Sequence, residues 1–148
     1  MKDTNNLLDY NIWSATEYNH DTTGMFNNYP QNILINSSND FSSIGESSLK
    51  ITVKDIPSWV NIDLFKIANP NKSVTVKLIV HNPECELVVN LFHTTTANAF
   101  SSVTVPAGNI KEISLTGDSS AFPDGNISIR VFPRTPNGVC YIDNISLS

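Results

Sequence analysis

Apolar and polar residues alternate in short runs along most of this chain, and no segment has strong helical periodicity. In the run SLKITVK, Leu49, Ile51 and Val53 fall on one face of an extended strand, and the lysines and the threonine fall on the other. A period of two is typical of a half-buried antiparallel strand. Such runs recur roughly every eight to fifteen residues with turn residues between them, as in β-sandwiches and β-barrels. We therefore predict an all-β, antiparallel fold.

Further strands can be placed by the same pattern. VTVKLIV predicts a strand whose core face consists of Val74, Val76, Leu78 and Val80. We expect HNPEC to close a hairpin from this strand to ELVVNLFH. We also expect NISIRVF to pair with GVCYIDNISLS across PRTPNG, because the Asn-Gly pair in that loop tolerates positive φ. The first 47 residues are rich in Asn, Ser, Thr and Asp, so we predict mostly loop there, with short strands at NLL and NILIN.

Composition limits the number of domains and the kinds of partner. A chain of 148 residues, 40% hydrophobic and 16% charged, can bury one core, so we predict a single domain over 1–148. A net charge of -5 argues against nucleic-acid binding, which depends on clustered Lys and Arg. No apolar run is long enough to span a membrane and no signal peptide is evident, so we expect a soluble domain or a module of a longer secreted or surface protein.

An acidic residue interrupts the last predicted strand. Counting alternate positions back from the terminus places Leu147, Ile145, Tyr141 and Val139 on one face, and Asp143 falls on the same face. If that face enters the core, the carboxylate would cost several kcal/mol unless it were paired or bound to a cation. The pattern leaves two possibilities open: a metal ion, or backbone N–H groups or a lysine that hold the carboxylate.

The run WVNIDLFKI combines an aromatic residue with polar side chains. Alternation places Val60, Ile62 and Leu64 on the core face, and it places Trp59, Asn61, Asp63 and Phe65 on the opposite face. An aromatic ring beside an amide and a carboxylate suits a sugar, whose C–H faces stack on rings and whose hydroxyls need donors and acceptors. Alternatively, Trp59 covers the core at the end of the strand while Asn61 and Asp63 are solvated.

Other residues carry weaker signals. Aromatic residues that loops or outward strand positions could bring to a binding face are Trp13, Tyr18, Phe26, Tyr29, Phe92 and Phe132. His81, Cys85 and His93 match no zinc-binding spacing, and no nucleophile elbow, phosphate loop or zinc-protease motif occurs. We predict that the protein is not an enzyme. Cys85 and Cys140 alternate to opposed faces, so we expect both thiols to be reduced.

Several of these segments, taken in order, resemble a known family. An opening NLL with a Trp soon after it, then GESSLKIT, WVNIDLFKI and a closing YIDNISL, resemble the carbohydrate-binding modules of families four, nine, sixteen and twenty-two. The resemblance implies an antiparallel β-sandwich of the jelly-roll type. Related domains also occur in phage tail proteins.

The resemblance also implies site residues. The first acid of the closing YIDN segment commonly binds a structural calcium ion in that family, and Asp143 has this position. Asp9, Glu46 and the carbonyl of Ser47 are the further metal ligands that the resemblance suggests, although NLLDYNIW departs from the acidic motif usual there. Trp59, Asn61 and Asp63 match a region that often binds sugar, and Trp13 matches by position alone.

Three functions follow as hypotheses. The leading one is a non-catalytic module of a larger extracellular or cell-surface protein that binds a polysaccharide or oligosaccharide by aromatic stacking and hydrogen bonds, with a structural calcium ion. The second is a structural or adhesive jelly-roll domain of a surface protein or phage particle, which binds protein and no sugar. The third is a small hydrolase that uses Asp63 with another carboxylate.

Overall fold

The computed structural model describes residues 25–28, 31–41, 48–67, 73–93, 98–118 and 126–147. In these ranges the chain forms ten β-strands and no helix. The strands are β1 (Met25–Asn28), β2 (Ile33–Ser38), β3 (Ser48–Val53), β4 (Trp59–Ile67), β5 (Ser73–Asn82), β6 (Leu87–His93), β7 (Asn98–Val105), β8 (Asn109–Asp118), β9 (Asn126–Pro133) and β10 (Gly138–Leu147). Within the same ranges no helix has the length and apolar character needed to cross a membrane.

The strands form two antiparallel sheets of five. Sheet A has the order β1-β4-β9-β6-β7, and sheet B has the order β2-β3-β10-β5-β8. Neighbouring strands are mostly far apart in sequence, because consecutive strands cross from one sheet to the other except at β2–β3 and β6–β7. The predicted all-β antiparallel sandwich is confirmed.

The core lies between the inner faces of the two sheets. The alternation that predicted the faces of β3, β4 and β5 is confirmed, because the apolar residues at the predicted core positions of all three strands are nearly or fully inaccessible to solvent. These strands contribute their branched apolar side chains to one layer, and burial of apolar surface at about 25 cal/mol per Å² is the main stabilising contribution. Fully buried members of this layer include Leu49, Ile51, Ile62, Leu78, Leu87, Leu91, Ile127 and Ile129.

Both predicted hairpins are wrong. β5 belongs to sheet B and β6 to sheet A, so HNPEC crosses between the sheets and closes no hairpin. β9 and β10 likewise lie in different sheets, although Asn137 does have the positive φ expected of the turn, at 60°. A short connection with turn residues can serve a hairpin or a crossing, and local turn chemistry does not distinguish them.

These two crossings pack against each other at one corner of the sandwich. The Asn82 side chain is buried there, and its Nδ2 donates to the carbonyl oxygens of Cys85 at 2.8 Å, Val105 at 3.1 Å and Pro106 at 3.0 Å. The Cys85 thiol donates to the carbonyl of Thr135 at 3.4 Å. The Asn82 amide therefore joins the β5–β6 connection to the end of β7 and the β7–β8 connection, and the Cys85 thiol joins it to the β9–β10 connection.

The predicted face of the last strand is partly wrong. Cys140 and Ile142 enter the core, and Tyr141 lies on the outer face of sheet B with Asp143. A β-bulge between Asp143 and Ser146, with Asn144 at a φ of 55°, then reverses the alternation and brings Ile145 into the core. One extra residue in a strand shifts every later side chain to the other face.

Both thiols are free and buried. We predicted reduced thiols, but the predicted reason, that the two side chains lie on opposed faces, is wrong. Cys85 and Cys140 belong to the same apolar core rather than to opposed faces. Burial raises the pKa of each thiol, and the proximity of Cys85 raises that of Cys140 further. Neither is therefore a thiolate at neutral pH.

Candidate functional site

The outer face of sheet A carries a group of aromatic and polar side chains. β4 contributes Trp59, Asn61 and Asp63, whose neighbours on the same strand point into the core. The register between β4 and β9 places Arg130 directly beside Asn61 and Ser128 directly beside Asp63. The three predicted residues of β4 thus share one face as predicted, and their role in binding stays a prediction.

The neighbouring strands complete this face. β6 pairs with the other side of β9, so Asn90 lies beside Arg130 and Phe92 lies beside Ser128. Phe132 follows on β9, and its ring centroid lies 6.1 Å from that of Trp59. The outward positions predicted for Phe92 and Phe132 agree with this register. We call this set the sheet A face: Trp59, Asn61, Asp63, Asn90, Phe92, Ser128, Arg130 and Phe132.

Arg130 lies at the centre of the sheet A face. Its guanidinium carbon is 4.4 Å from the centroid of Trp59 and 3.6 Å from the centroid of Phe92, so cation–π contacts link it to both rings. Its Nε donates to Asn61 Oδ1 at 3.1 Å. Burial lowers the pKa of Arg130, although an arginine remains charged in any accessible pH range. Arg130, which contacts Asn61, Trp59 and Phe92 on this face, was not predicted from the sequence.

A groove adjoins the sheet A face where β4 begins and β9 ends. Its volume is about 510 Å³, and it is lined by Ile56, Pro57, Ser58, Trp59, Phe132, Pro133 and Arg134. Trp59 and Phe132 belong to both surfaces, so the groove continues the sheet A face. A ligand of several units has room to lie along one continuous surface with aromatic side chains near its middle.

The outer face of sheet B is occupied by its own contacts. The rings of Phe41, His81 and Tyr141 pack together with centroids 4.6 to 5.7 Å apart. Lys50 Nζ forms an ion pair with Asp40 at 2.8 Å, which lowers the pKa of Asp40 and raises that of Lys50. Phe41, His81 and Tyr141 are half-buried, as Trp59 and Phe132 are on sheet A.

Of the four predicted metal ligands, Asp143 is the one that lies among the described residues. Asp143 is 0% exposed, and its Oδ1 accepts a hydrogen bond from the backbone N–H of Asn144 at 2.9 Å. Asp9, Glu46 and Ser47 lie outside the described residues, as does Trp13. Among the described residues, no three His, Cys, Asp or Glu side chains are grouped so as to hold a metal ion.

Comparison with known proteins identifies the fold. No protein-family model matches the sequence, and no curated protein does. Among solved structures, TmCBM61 in complex with β-1,4-galactotriose has a TM-score of 0.65 at 13% identity, over 97% of each chain. The C-terminal family 22 carbohydrate-binding module of Clostridium thermocellum Xyn10B has a TM-score of 0.62 at 12% identity, over 99% of this chain and 96% of that one.

A third similar structure comes from a virus. The enzymatically active domain of tailspike protein 4 of bacteriophage CBA120 has a TM-score of 0.69 at 13% identity, over 97% of this chain. This chain spans only 21% of the length of that structure. At these identities the comparisons establish the fold: the chain has the β-sandwich fold of carbohydrate-binding modules, as its sequence resemblance predicted.

Proposed function

We propose that this chain is a non-catalytic glycan-binding module and that the sheet A face, with the adjoining groove, is its binding site. The observation that carries the proposal is the continuous surface formed by Trp59, Phe132, Arg130 and Asn90, in which the Asn61 amide is almost fully buried beside Arg130. Aromatic rings stack on the C–H faces of sugars, and amides and a guanidinium hydrogen-bond hydroxyl groups. A xylan-binding domain of Paenibacillus barcinonensis Xyn10C and a module in complex with β-1,4-galactotriose have similar folds, which supports a carbohydrate ligand.

The arrangement of acids favours binding over hydrolysis. Glycoside hydrolases that use two carboxylates place them on either side of the scissile bond. Asp63 is the one carboxylate that the described residues place on the sheet A face. A hydrolytic reaction at this surface would therefore need an acid from elsewhere.

Binding by Trp59 can be tested separately from its contribution to folding. In Trp59→Ala, loss of the stacking ring should weaken binding by about 2 kcal/mol or more, which is about 30-fold in Kd. Isothermal titration against xylan, mixed-linkage glucan and galactan oligosaccharides measures the loss, and thermal melts report the stability. Tyr141→Ala, which removes a ring from the outer face of sheet B, is the matched control and should bind normally.

The result that contradicts this role is specific. If Trp59 mainly covers the core, its removal should instead lower stability by roughly 3–5 kcal/mol through cavity formation. A Trp59→Ala protein that melts far below wild type, or one that melts normally and still binds as tightly, would show that the role of Trp59 is structural.

A protein-binding domain of a phage particle is the second candidate. The tailspike similarity, which covers nearly the whole of this chain, favours it. A chain that binds none of the glycans above would favour this alternative, in which the domain joins or attaches to other protein chains.

We also propose that a structural calcium ion binds at Asp143. The charge of a fully buried carboxylate requires compensation, and a bound cation together with the backbone N–H of Asn144 would supply it. Calcium takes six to eight oxygen ligands, so Asp143 would be one of several, with Asp9, Glu46 and the Ser47 carbonyl as the candidates from the sequence. The ion would stabilise the fold and take no part in sugar binding.

A further inference from the structure

Arg130 has hydrogen-bonding capacity that the described part of the protein does not use. Its Nε donates to Asn61, while none of the described residues accepts a hydrogen bond from its two terminal nitrogens. No carboxylate of the described residues pairs with it, although the chain has 14 acidic and 9 basic residues. A partly desolvated guanidinium without a counter-charge is costly, since burial disfavours an uncompensated charge.

Two neighbouring polar groups are also unsatisfied donors. Asn61 Oδ1 must be the acceptor of the bond from Arg130, because arginine only donates, and this fixes Asn61 Nδ2 as the remaining group. Asn61 Nδ2 and Ser128 Oγ are both buried without a hydrogen-bond partner. Most buried polar groups in proteins are paired, and an unpaired one costs about 1–3 kcal/mol.

The centre of the sheet A face is therefore rich in donors. The guanidinium can only donate, and the Asn61 amide has its oxygen engaged, so only its N–H groups remain. A neutral sugar hydroxyl can accept from such groups but must then place its own proton elsewhere. A carboxylate only accepts, and it matches the fork of two parallel N–H groups that arginine presents.

From this geometry we propose that the ligand is an acidic glycan, and that Arg130 binds the carboxylate of a uronic acid residue. The inference rests on the proposed glycan-binding function and names the substrate class of the same site. Trp59 and Phe92 contact the guanidinium through cation–π interactions, and its terminal nitrogens, which donate to none of the described residues, would bind the carboxylate. Hydrogen bonds between ionised partners are about twice as strong as neutral ones, so one such pair can decide between otherwise identical sugars.

Because the protein is acidic overall, a preference for acidic glycans would depend on the pair of Arg130 with the ligand carboxylate. The net charge of -5 gives the protein no general attraction for polyanions, so a preference for acidic glycans has to come from a particular site. Lys54, Lys77, Lys111 and Arg134 are exposed, and the partly buried Lys50 is paired with Asp40. Arg130 differs from all of them because it is half-buried, contacts two aromatic rings and has no carboxylate partner among the described residues.

Two forms of one polysaccharide provide the test. Glucuronoxylan oligosaccharides and their carboxyl-reduced counterparts share a backbone and differ only in the uronic acid carboxylate. Isothermal titration with both should show that wild type binds the acidic form at least about tenfold more tightly, and the difference should shrink as salt is raised. Oligogalacturonate and a sulfated galactan, titrated in parallel, test a second uronic acid and a different anion.

Three variants test whether Arg130 is responsible for the preference for the acidic form. Arg130→Gln should reduce binding of the acidic form to the level of the reduced form, and Arg130→Lys, which keeps the charge and loses the fork, should fall between them. Lys77→Gln removes the same charge from the opposite sheet and should keep the wild-type preference. Thermal melts verify that each variant is folded.

Each outcome bears on a separate claim. Equal binding of the two forms by wild type overturns the assignment to acidic glycans and leaves the proposed function standing. An acid preference that survives in a folded Arg130→Gln protein overturns the role of Arg130, and binding of sulfated galactan alone overturns the assignment to uronic acids. If no glycan binds at all, the proposed function fails together with this inference.

Discussion

Gly138 begins β10 at a point where a side chain has no space. A Cβ atom at this position would overlap the sulfur of Cys85 and lie 3.2 Å from Glu84 Cβ. The backbone of Gly138 has no positive φ, so the requirement for glycine here is steric rather than conformational. The close approach lets the two crossings at the corner pack together.

We predict that Gly138→Ala lowers the free energy of unfolding by about 1–3 kcal/mol through overpacking. Cys85→Ala should cost a similar amount by leaving a cavity, yet the double variant should recover part of both losses because the smaller side chain makes room for the new methyl. Urea denaturation of all four proteins measures the coupling. Strictly additive losses would mean that the two residues do not meet.

At the level of single residues, part of the site could be predicted from the sequence, but its central residue, Arg130, could not. Alternation placed Trp59, Asn61 and Asp63 together, because WVNIDLFKI has a clear apolar face to contrast with. The same reasoning applied to NISIRVF would have placed Ser128, Arg130 and Phe132 on one outward face. What alternation cannot reveal is that β9 lies between β4 and β6, and this pairing of distant strands brings Arg130 to two aromatic rings.

Among the strands and their connections, the corner at Asn82 is held by a buried side chain. Three carbonyl oxygens from two connections lie within 3.1 Å of its amide nitrogen, in a buried position. We predict that Asn82→Ala lowers the free energy of unfolding by about 2–3 kcal/mol, because these carbonyls lose their donor without gaining access to water.

Asn82→Asp tests whether the donor or the shape is responsible. The aspartate has nearly the same shape but no N–H groups, and its charge would face carbonyl oxygens, so at neutral pH it should be at least as destabilising as the alanine. Urea denaturation measures both variants. An aspartate variant as stable as wild type would show that the amide donor contributes nothing.

The errors made for whole strands have physical causes. PRTPNG has the turn residues of a hairpin, but the strands on either side of it belong to different sheets, and only the position of the core decides between a hairpin and a crossing. In β10 the prediction assumed regular alternation, but a bulge between Asp143 and Ser146 interrupts it. Asp143-Asn144 is a sequence that tolerates a left-handed conformation, so the bulge had a local signal that periodicity alone passes over.

For the whole molecule, the calcium proposal predicts a change in stability with the ion. An ion that binds only the native state stabilises it by RT ln(1 + [L]/Kd), about 2.7 kcal/mol at a hundredfold excess over Kd. Thermal melts should therefore give a higher Tm in calcium chloride than in EDTA. Asp143→Asn should lose this difference, and Glu112→Gln, which changes an exposed acid on the same sheet, should keep it. Identical melts of wild type in calcium and in EDTA would refute the ion.

The central claim is that a glycan binds on the outer face of sheet A. Proton–nitrogen correlation NMR during titration with a glucuronoxylan oligosaccharide tests it most directly. The two tryptophan indoles give separate signals, and the backbone amides of the two sheets report independently. The account predicts that the Trp59 indole and the amides around Asn61, Asn90 and Arg130 shift, while those around Lys50, His81 and Tyr141 stay in place. Shifts confined to the outer face of sheet B, with the Trp59 indole unmoved at saturating ligand, would contradict it.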